Sequence, residues 1–163
     1  MAGSPFQPNR RKRGFTIVEL IVTLVIAGAL AVTALPRFVR IQDFEARFFF
    51  DDTLAALRYA QKLAISTGCP VQVDFTATSY TVTQRTACTT GAFTQPVHDP
   101  SDGSLGMSES VPSGLTFSSS VDPIVFDALG RALDASLAPS DATVTVATRS
   151  ISVVGLTGLV DGG

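Results

Sequence analysis

Arg10-Arg11-Lys12-Arg13-Gly14-Phe15-Thr16-Ile17-Val18-Glu19-Leu20 decides how the rest of the chain is read. Consecutive basic side chains meet a Gly-Phe-Thr step, and an apolar run follows with one acid, Glu19, inside it. From Ile17 to Leu35 the only other strongly polar side chains are Thr23 and Thr33. At about 1.5 Å per helical residue, Phe15 to Leu35 spans about 30 Å, the thickness of a bilayer's hydrocarbon core. Basic residues ahead of such a span stay on the cytoplasmic side, so the chain after it is expected outside the cytoplasm. A secretory signal peptide has a shorter apolar region, about 7–15 residues, closed by a small-x-small cleavage site. The run here is longer, and although Ala27-Gly28-Ala29 and Ala31 are small, no cleavage site clearly ends it.

A plain single-span anchor has no use for Glu19. A carboxylate within a membrane helix costs about 3 kcal/mol unless it is neutralised or paired. Glu19 lies one helical turn beyond Phe15. A cut between Gly14 and Phe15 would put the new amino group near that carboxylate. In an assembly, Glu19 of one subunit would then neutralise the amine of its neighbour.

Arg13 to Leu20, Arg-Gly-Phe-Thr-Ile-Val-Glu-Leu, resembles the class III signal of type IV pilins and type II secretion pseudopilins. In that family a membrane aspartyl enzyme, the prepilin peptidase, cuts after the glycine and methylates the new N-terminal residue. The resemblance therefore implies cleavage between Gly14 and Phe15, N-methylation of Phe15, and a role in assembly for Glu19. Ala34-Leu35-Pro36-Arg37-Phe38 is similar to pilins of the mannose-sensitive haemagglutinin type, and Pro36 stands where many pilins bend their long helix. The implied partners are the prepilin peptidase, other pilins or pseudopilins met through the N-terminal helix, and an inner-membrane assembly platform. The implied organisation is a cytoplasmic leader at 1–14 that is removed, a transmembrane and assembly helix at 15–42, and a periplasmic globular domain at 43–163. Such a chain is first a single-pass protein of the bacterial inner membrane and then part of a pilus or pseudopilus.

The 163 residues carry 12 basic and 14 acidic side chains. Residues 1–14 hold 4 of the basic ones and no acid, so the remainder carries 8 against 14, a formal charge of −6 before its termini are counted. That balance opposes electrostatic binding to nucleic acid. Cys69 and Cys88 fall on the oxidising side, where a disulfide is favoured. Val71 to Phe75 and Tyr80 to Gln84 alternate like half-buried strands. A two-residue turn at Thr78-Ser79 sets Phe75 opposite Val82, Val73 opposite Gln84 and Cys69 opposite Cys88, all on one face. A redox pair is the alternative use of the two thiols, but they form no Cys-x-x-Cys motif.

Helix formers resume after Pro36. Phe44, Phe48, Phe50, Leu54, Leu57, Ala60 and Ala64 recur mostly at three- and four-residue steps, with Arg47, Asp51, Arg58 and Lys62 largely off that stripe. Gly68 followed by Cys69-Pro70 is a stop. The spacing predicts one helix from about Thr16 to Thr67, its second half packed on a sheet. Phe48-Phe49-Phe50 serves core packing or subunit contact. From Thr89 to Ser120 the glycines, prolines and Asp-Gly step read as loop with at most one strand. Short strands are expected at Leu115 to Phe117 and Ile124 to Phe126, a hairpin from Thr143 to Val154 turning near Thr148-Arg149, and a last strand through Leu156 and Val160. The fold class is α+β, a long N-terminal helix packed on a mostly antiparallel β domain, the pilin-like lollipop. Asp52 to Ala64 and Val125 to Arg131 resemble the GspH/FimT group of minor pilins and pseudopilins.

That group implies a minor subunit helping to build a type IV pilus, or a minor pseudopilin of a type II secretion system. An adhesin or DNA receptor displayed at a tip through the loop from Thr89 to Pro112 is the reading from another class. Some FimT-like members bind DNA through a basic C-terminal region, but after Arg131 the tail here has only Arg149, and Leu159 follows Gly158 where those members place an arginine. Asp99, Asp102 and Glu109, near His98, form the best acidic group for calcium, yet Asp99-Pro100-Ser101-Asp102-Gly103 is not an EF-hand loop and is explained by turn chemistry. No Ser/His/Asp context and no glycine-rich phosphate loop is present. No catalytic residue, cofactor or metal is assigned, and Gly130-Arg131 reads as a turn with a surface charge.

Overall fold

The structure is a computed structural model that describes residues 15–163, with side chains described outside 32–41. The chain divides into two units, Met1–Ile41 and Gln42–Gly163. One helix, α1 (Ile17–Thr67, 51 residues), runs through the division. It ends where the sequence places its stop. Gly68 takes a φ of 68°, the left-handed conformation that closes a helix without a Cβ clash.

Ten strands follow: β1 (Val71–Phe75), β2 (Ser79–Arg85), β3 (Phe93–Pro96), β4 (Ser108–Ser110), β5 (Phe117–Ser119), β6 (Ile124–Phe126), β7 (Ala132–Leu133), β8 (Ala142–Val146), β9 (Arg149–Val153) and β10 (Val160–Gly162). One sheet has the order β3-β2-β1-β6-β7 with β4 also on β2, and the other has β10-β9-β8-β5. The named pairings are antiparallel. The α+β expectation holds. The stretch expected as loop with at most one strand contains β3, β4 and β5. β3 and β4 are mostly exposed, so their sequences lack the apolar alternation by which strands are recognised.

The first hairpin differs from its expected register. Phe75 pairs with Tyr80, Val73 with Val82 and Val71 with Gln84, a shift of two residues. The connection is a four-residue turn closed by a hydroxyl. The amide of Ser79 donates to Thr76 Oγ1 at 2.9 Å, and the Thr76 amide donates to the Ser79 carbonyl at 2.8 Å. A shift of two preserves the faces, so Val71, Val73, Phe75, Tyr80 and Val82 are all buried. Cys69 and Cys88 are joined by a disulfide, but outside the ladder rather than opposite each other within it. The β8–β9 hairpin turns at Ala147-Thr148, one residue earlier than expected, with Ala147 at a φ of 53°.

The core lies between α1 and the two sheets. The buried stripe of the helix is Phe49, Phe50, Thr53, Ala56, Leu57, Ala60 and Ala64. This corrects the N-terminal part of the expected stripe: Phe44 is 71% and Phe48 64% exposed, and Leu54 is only partly buried. Phe49 fixes the helix to both sheets. Its ring meets Phe117 of β5 edge-on at 5.1 Å between centroids and tilts against Tyr80 of β2 at 6.1 Å. Thr53, though polar, is buried because its hydroxyl donates to the Phe49 carbonyl at 2.7 Å.

Candidate assembly interface

The helix begins on a cap. The backbone amide of Glu19 donates to Thr16 Oγ1 at 3.2 Å, and that of Leu20 to the Thr16 carbonyl at 3.1 Å. Thr16-Ile17-Val18-Glu19 has the Thr-x-x-Glu spacing of a capping box, a local signal that the periodicity argument passed over. It places Glu19 in the first turn, where the helix dipole favours negative charge. Phe15 is 77% exposed. Ile17, Val18, Leu20, Ile21, Val22, Leu24, Val25 and Ile26 are exposed too, so this segment is apolar around its circumference and not amphipathic. Gly14, the expected cleavage position, lies outside the described residues, as does the rest of the leader. The expected span runs on to Leu35, past Ala31, where described side chains pause. Among the described residues no helix is long and apolar enough to cross a membrane.

Within Gln42–Gly163, polar groups of the helix hold the C-terminal strands. Arg58 donates through Nε and Nη2 to the Val160 carbonyl at 3.3 and 3.2 Å. Gln61 Nε2 donates to the Gly130 carbonyl at 2.9 Å and to that of Thr157 at 3.3 Å, joining two turns at one side chain. Gly158 has a φ of 64°, and a Cβ there would overlap the Gly130 carbonyl. The Tyr80 hydroxyl donates to Asp52. Burial first, then the hydrogen bond and charge of Asp52, hold the Tyr80 phenol well above its usual range. None of these long-range contacts has a sequence signal, because each joins residues far apart along the chain.

The acidic group near His98 is turn chemistry. Asp99 Oδ1 accepts from the Ser101 amide at 2.7 Å and its hydroxyl at 2.6 Å, and Asp102 Oδ1 from the Ser104 amide at 2.8 Å. Those Ser104 contacts hold the Asp102 carboxyl below its usual range. Desolvation, with Asp52 and Asp99 nearby, raises that of Glu109. Among the described residues no group of His, Cys, Asp or Glu is arranged to hold a metal. Arg131 is engaged by Asp127, with Nε at 2.8 Å and Nη2 at 2.7 Å from Oδ2.

A capped apolar N-terminal helix, whose continuation packs on two antiparallel sheets, defines the pilin fold. Residues 9–35 match the prokaryotic N-terminal methylation motif, and residues 51–158 match the family described as type II transport protein GspH. The chain belongs to the GspH family, a structural and non-enzymatic branch of the pilins and pseudopilins. The methylation motif takes in Gly14, Phe15 and Glu19.

Among curated relatives, it is 43% identical over 54 residues to the type IV narrow pilus major component PilA5 of Thermus thermophilus, a match covering 33% of this chain and 47% of that one. It is 41% identical over 54 residues to the type IV major pilin protein PilA of Myxococcus xanthus, covering 33% of this chain and 24% of that one. The chain thus spans less than half the length of either relative. Among solved structures, the type IV minor pilin FimU of Pseudomonas aeruginosa superposes with a TM-score of 0.57 at 15% identity, over 75% of this chain and 90% of that one. The minor pseudopilin EpsH from the type 2 secretion system of Vibrio cholerae gives 0.53 at 14% identity, over 73% and 96%. These two likenesses concern the fold.

Proposed function

We propose that this chain is a minor subunit of a type IV pilus or type II secretion pseudopilus, made as a membrane-held precursor and built into a filament through its N-terminal helix. In this reading residues 1–14 are the leader, 15–42 the membrane and assembly helix, and 43–163 the periplasmic domain. The prepilin peptidase cuts between Gly14 and Phe15 and methylates Phe15, and an inner-membrane platform extracts the product. Glu19 of one subunit then neutralises the amine of the next. The observation that carries the reading is the union, in one chain, of the methylation motif at 9–35 with a GspH domain at 51–158.

Thr16 supports it by fixing Glu19 in the first helical turn. The run of exposed apolar side chains supports it too, since such a surface is stable only when lipid or other helices cover it. Ala34-Leu35-Pro36-Arg37-Phe38 supports the finer reading of a pilus of the mannose-sensitive haemagglutinin type, with a resemblance to its minor pilin MshC.

Variants of the full chain in its own host test the proposal. Gly14→Val leaves uncleaved precursor in the membrane. Glu19→Ala is cleaved normally yet is missing from sheared filaments. Wild-type incorporation of Glu19→Ala would refute the pairing of acid and amine.

A further inference from the structure

A cleft of about 370 Å³ within the unit Gln42–Gly163 gathers two arginines that the reading so far does not use. Its size falls in the range of about 300–1,000 Å³ typical of small-molecule sites. One wall is a face of α1, where Gln42, Asp43 and Arg47 recur at helical spacing. The other is the turn between β8 and β9, with Thr148 and Arg149, beside Leu115. That second wall is held in place. The Ala147 amide donates to the Thr116 carbonyl at 2.8 Å, and the Arg149 guanidinium lies over the Phe50 ring, 5.4 Å from its centroid. Both guanidinium groups keep their charge uncompensated. Among the described residues the one ion pair joins Arg131 to Asp127, and neither Arg47 nor Arg149 donates a side-chain hydrogen bond. Asp43 stands one turn before Arg47, the spacing of a helix ion pair, yet makes none. Residues 42–163 carry six basic and thirteen acidic side chains, so two unpaired arginines on one cleft are a local reversal of the prevailing charge.

We infer that this cleft binds a terminal phosphate group, taken either from inorganic phosphate or from the headgroup of phosphatidic acid. A guanidinium forks onto two oxygens at once. One such fork uses both oxygens of a carboxylate, whereas a terminal phosphate has three and accepts from both Arg47 and Arg149. The Gln42 amide and the Thr148 hydroxyl add a neutral donor on each wall. Asp43 is the opposing charge, and two arginines outweigh it. A nucleic acid is a poor occupant, because its backbone needs several basic groups in a row and the acid excess around the cleft repels a long polyanion. A single small anion meets only the cleft itself.

The test uses the full chain in neutral detergent micelles at constant ionic strength. Ligand binding to the folded state raises the unfolding temperature, and the concentration at half of that rise reports affinity. Inorganic phosphate is titrated in one arm, and micelles doped with phosphatidic acid, against phosphatidylcholine, in the other. A saturable rise is expected in at least one arm, with half-saturation weakened about 10-fold or more in Arg47→Gln. Arg47 is exposed, so this variant should keep the wild-type unfolding temperature when no ligand is present. Lys62→Gln removes a charge from the same helix outside the cleft and should bind as wild type. A rise with phosphatidic acid that phosphate competes away assigns the headgroup, and a rise with phosphate alone assigns the free ion. Either result supports the site. No saturable rise in either arm, equal weakening in Lys62→Gln, or tighter binding of acetate or of a single-stranded oligonucleotide than of phosphate would overturn the inference.

Discussion

Tyr80 shows how much a single side chain decides in this fold. It is 2% exposed, packs on Phe49 and donates a hydrogen bond from its hydroxyl to Asp52. Tyr80→Phe keeps the ring but removes the donor, and should cost about 1–2 kcal/mol in urea unfolding. The phenol's pKa is raised in the folded state. Its stabilisation is therefore complete below the unfolded value, about 10, and is lost as pH rises beyond it. Wild type should lose stability above about pH 10 more steeply than Tyr80→Phe, and parallel alkaline melts would contradict this. Gly158 is the second such residue. Gly158→Ala adds a Cβ at a φ of 64° and against the Gly130 carbonyl, so a loss of about 2 kcal/mol or more is expected by the same unfolding assay. Glu19 stands out in the sequence because charge inside an apolar run is a local anomaly. Asp52 and Gln61 do not, since their importance comes from partners 28 and 69 residues away.

At the scale of elements, the extent of α1 and the face of each core strand could be read from periodicity, while registers could not. Alternation placed Val71, Val73 and Phe75 on one face, but the turn at Thr76 to Ser79 depends on a hydroxyl geometry that alternation does not encode. The helix stripe went astray at Phe44 and Phe48 because any phenylalanine scores as core. Only the sheets decide that Phe49 faces inward. Leu57, fully buried, tests that placement: Leu57→Ala should cost about 2–5 kcal/mol, whereas Phe48→Ala should leave the stability of the globular unit nearly unchanged. The Cys69–Cys88 bond ties the end of α1 to the segment after β2 across a separation of 19 residues. Reduction should lower unfolding stability by about 3 kcal/mol, with no change if the bond is idle.

At the scale of the whole chain, the first turns of α1 carry an acid, a cap and many exposed apolar side chains, and the buried stripe from Phe49 to Ala64 packs in the core of the globular unit. The family was legible in the sequence because its peptidase signal is contiguous. The junction at Gln61 was not, because the Gly130 and Thr157 carbonyls reach that side chain only in the folded chain. The account turns on the chain becoming a filament subunit by losing its leader. Mass spectrometry of the N-terminal peptide from this subunit in purified filaments tests that directly. The account predicts a peptide beginning with N-methylated Phe15. A subunit in filaments that still carries residues before Phe15 would contradict it.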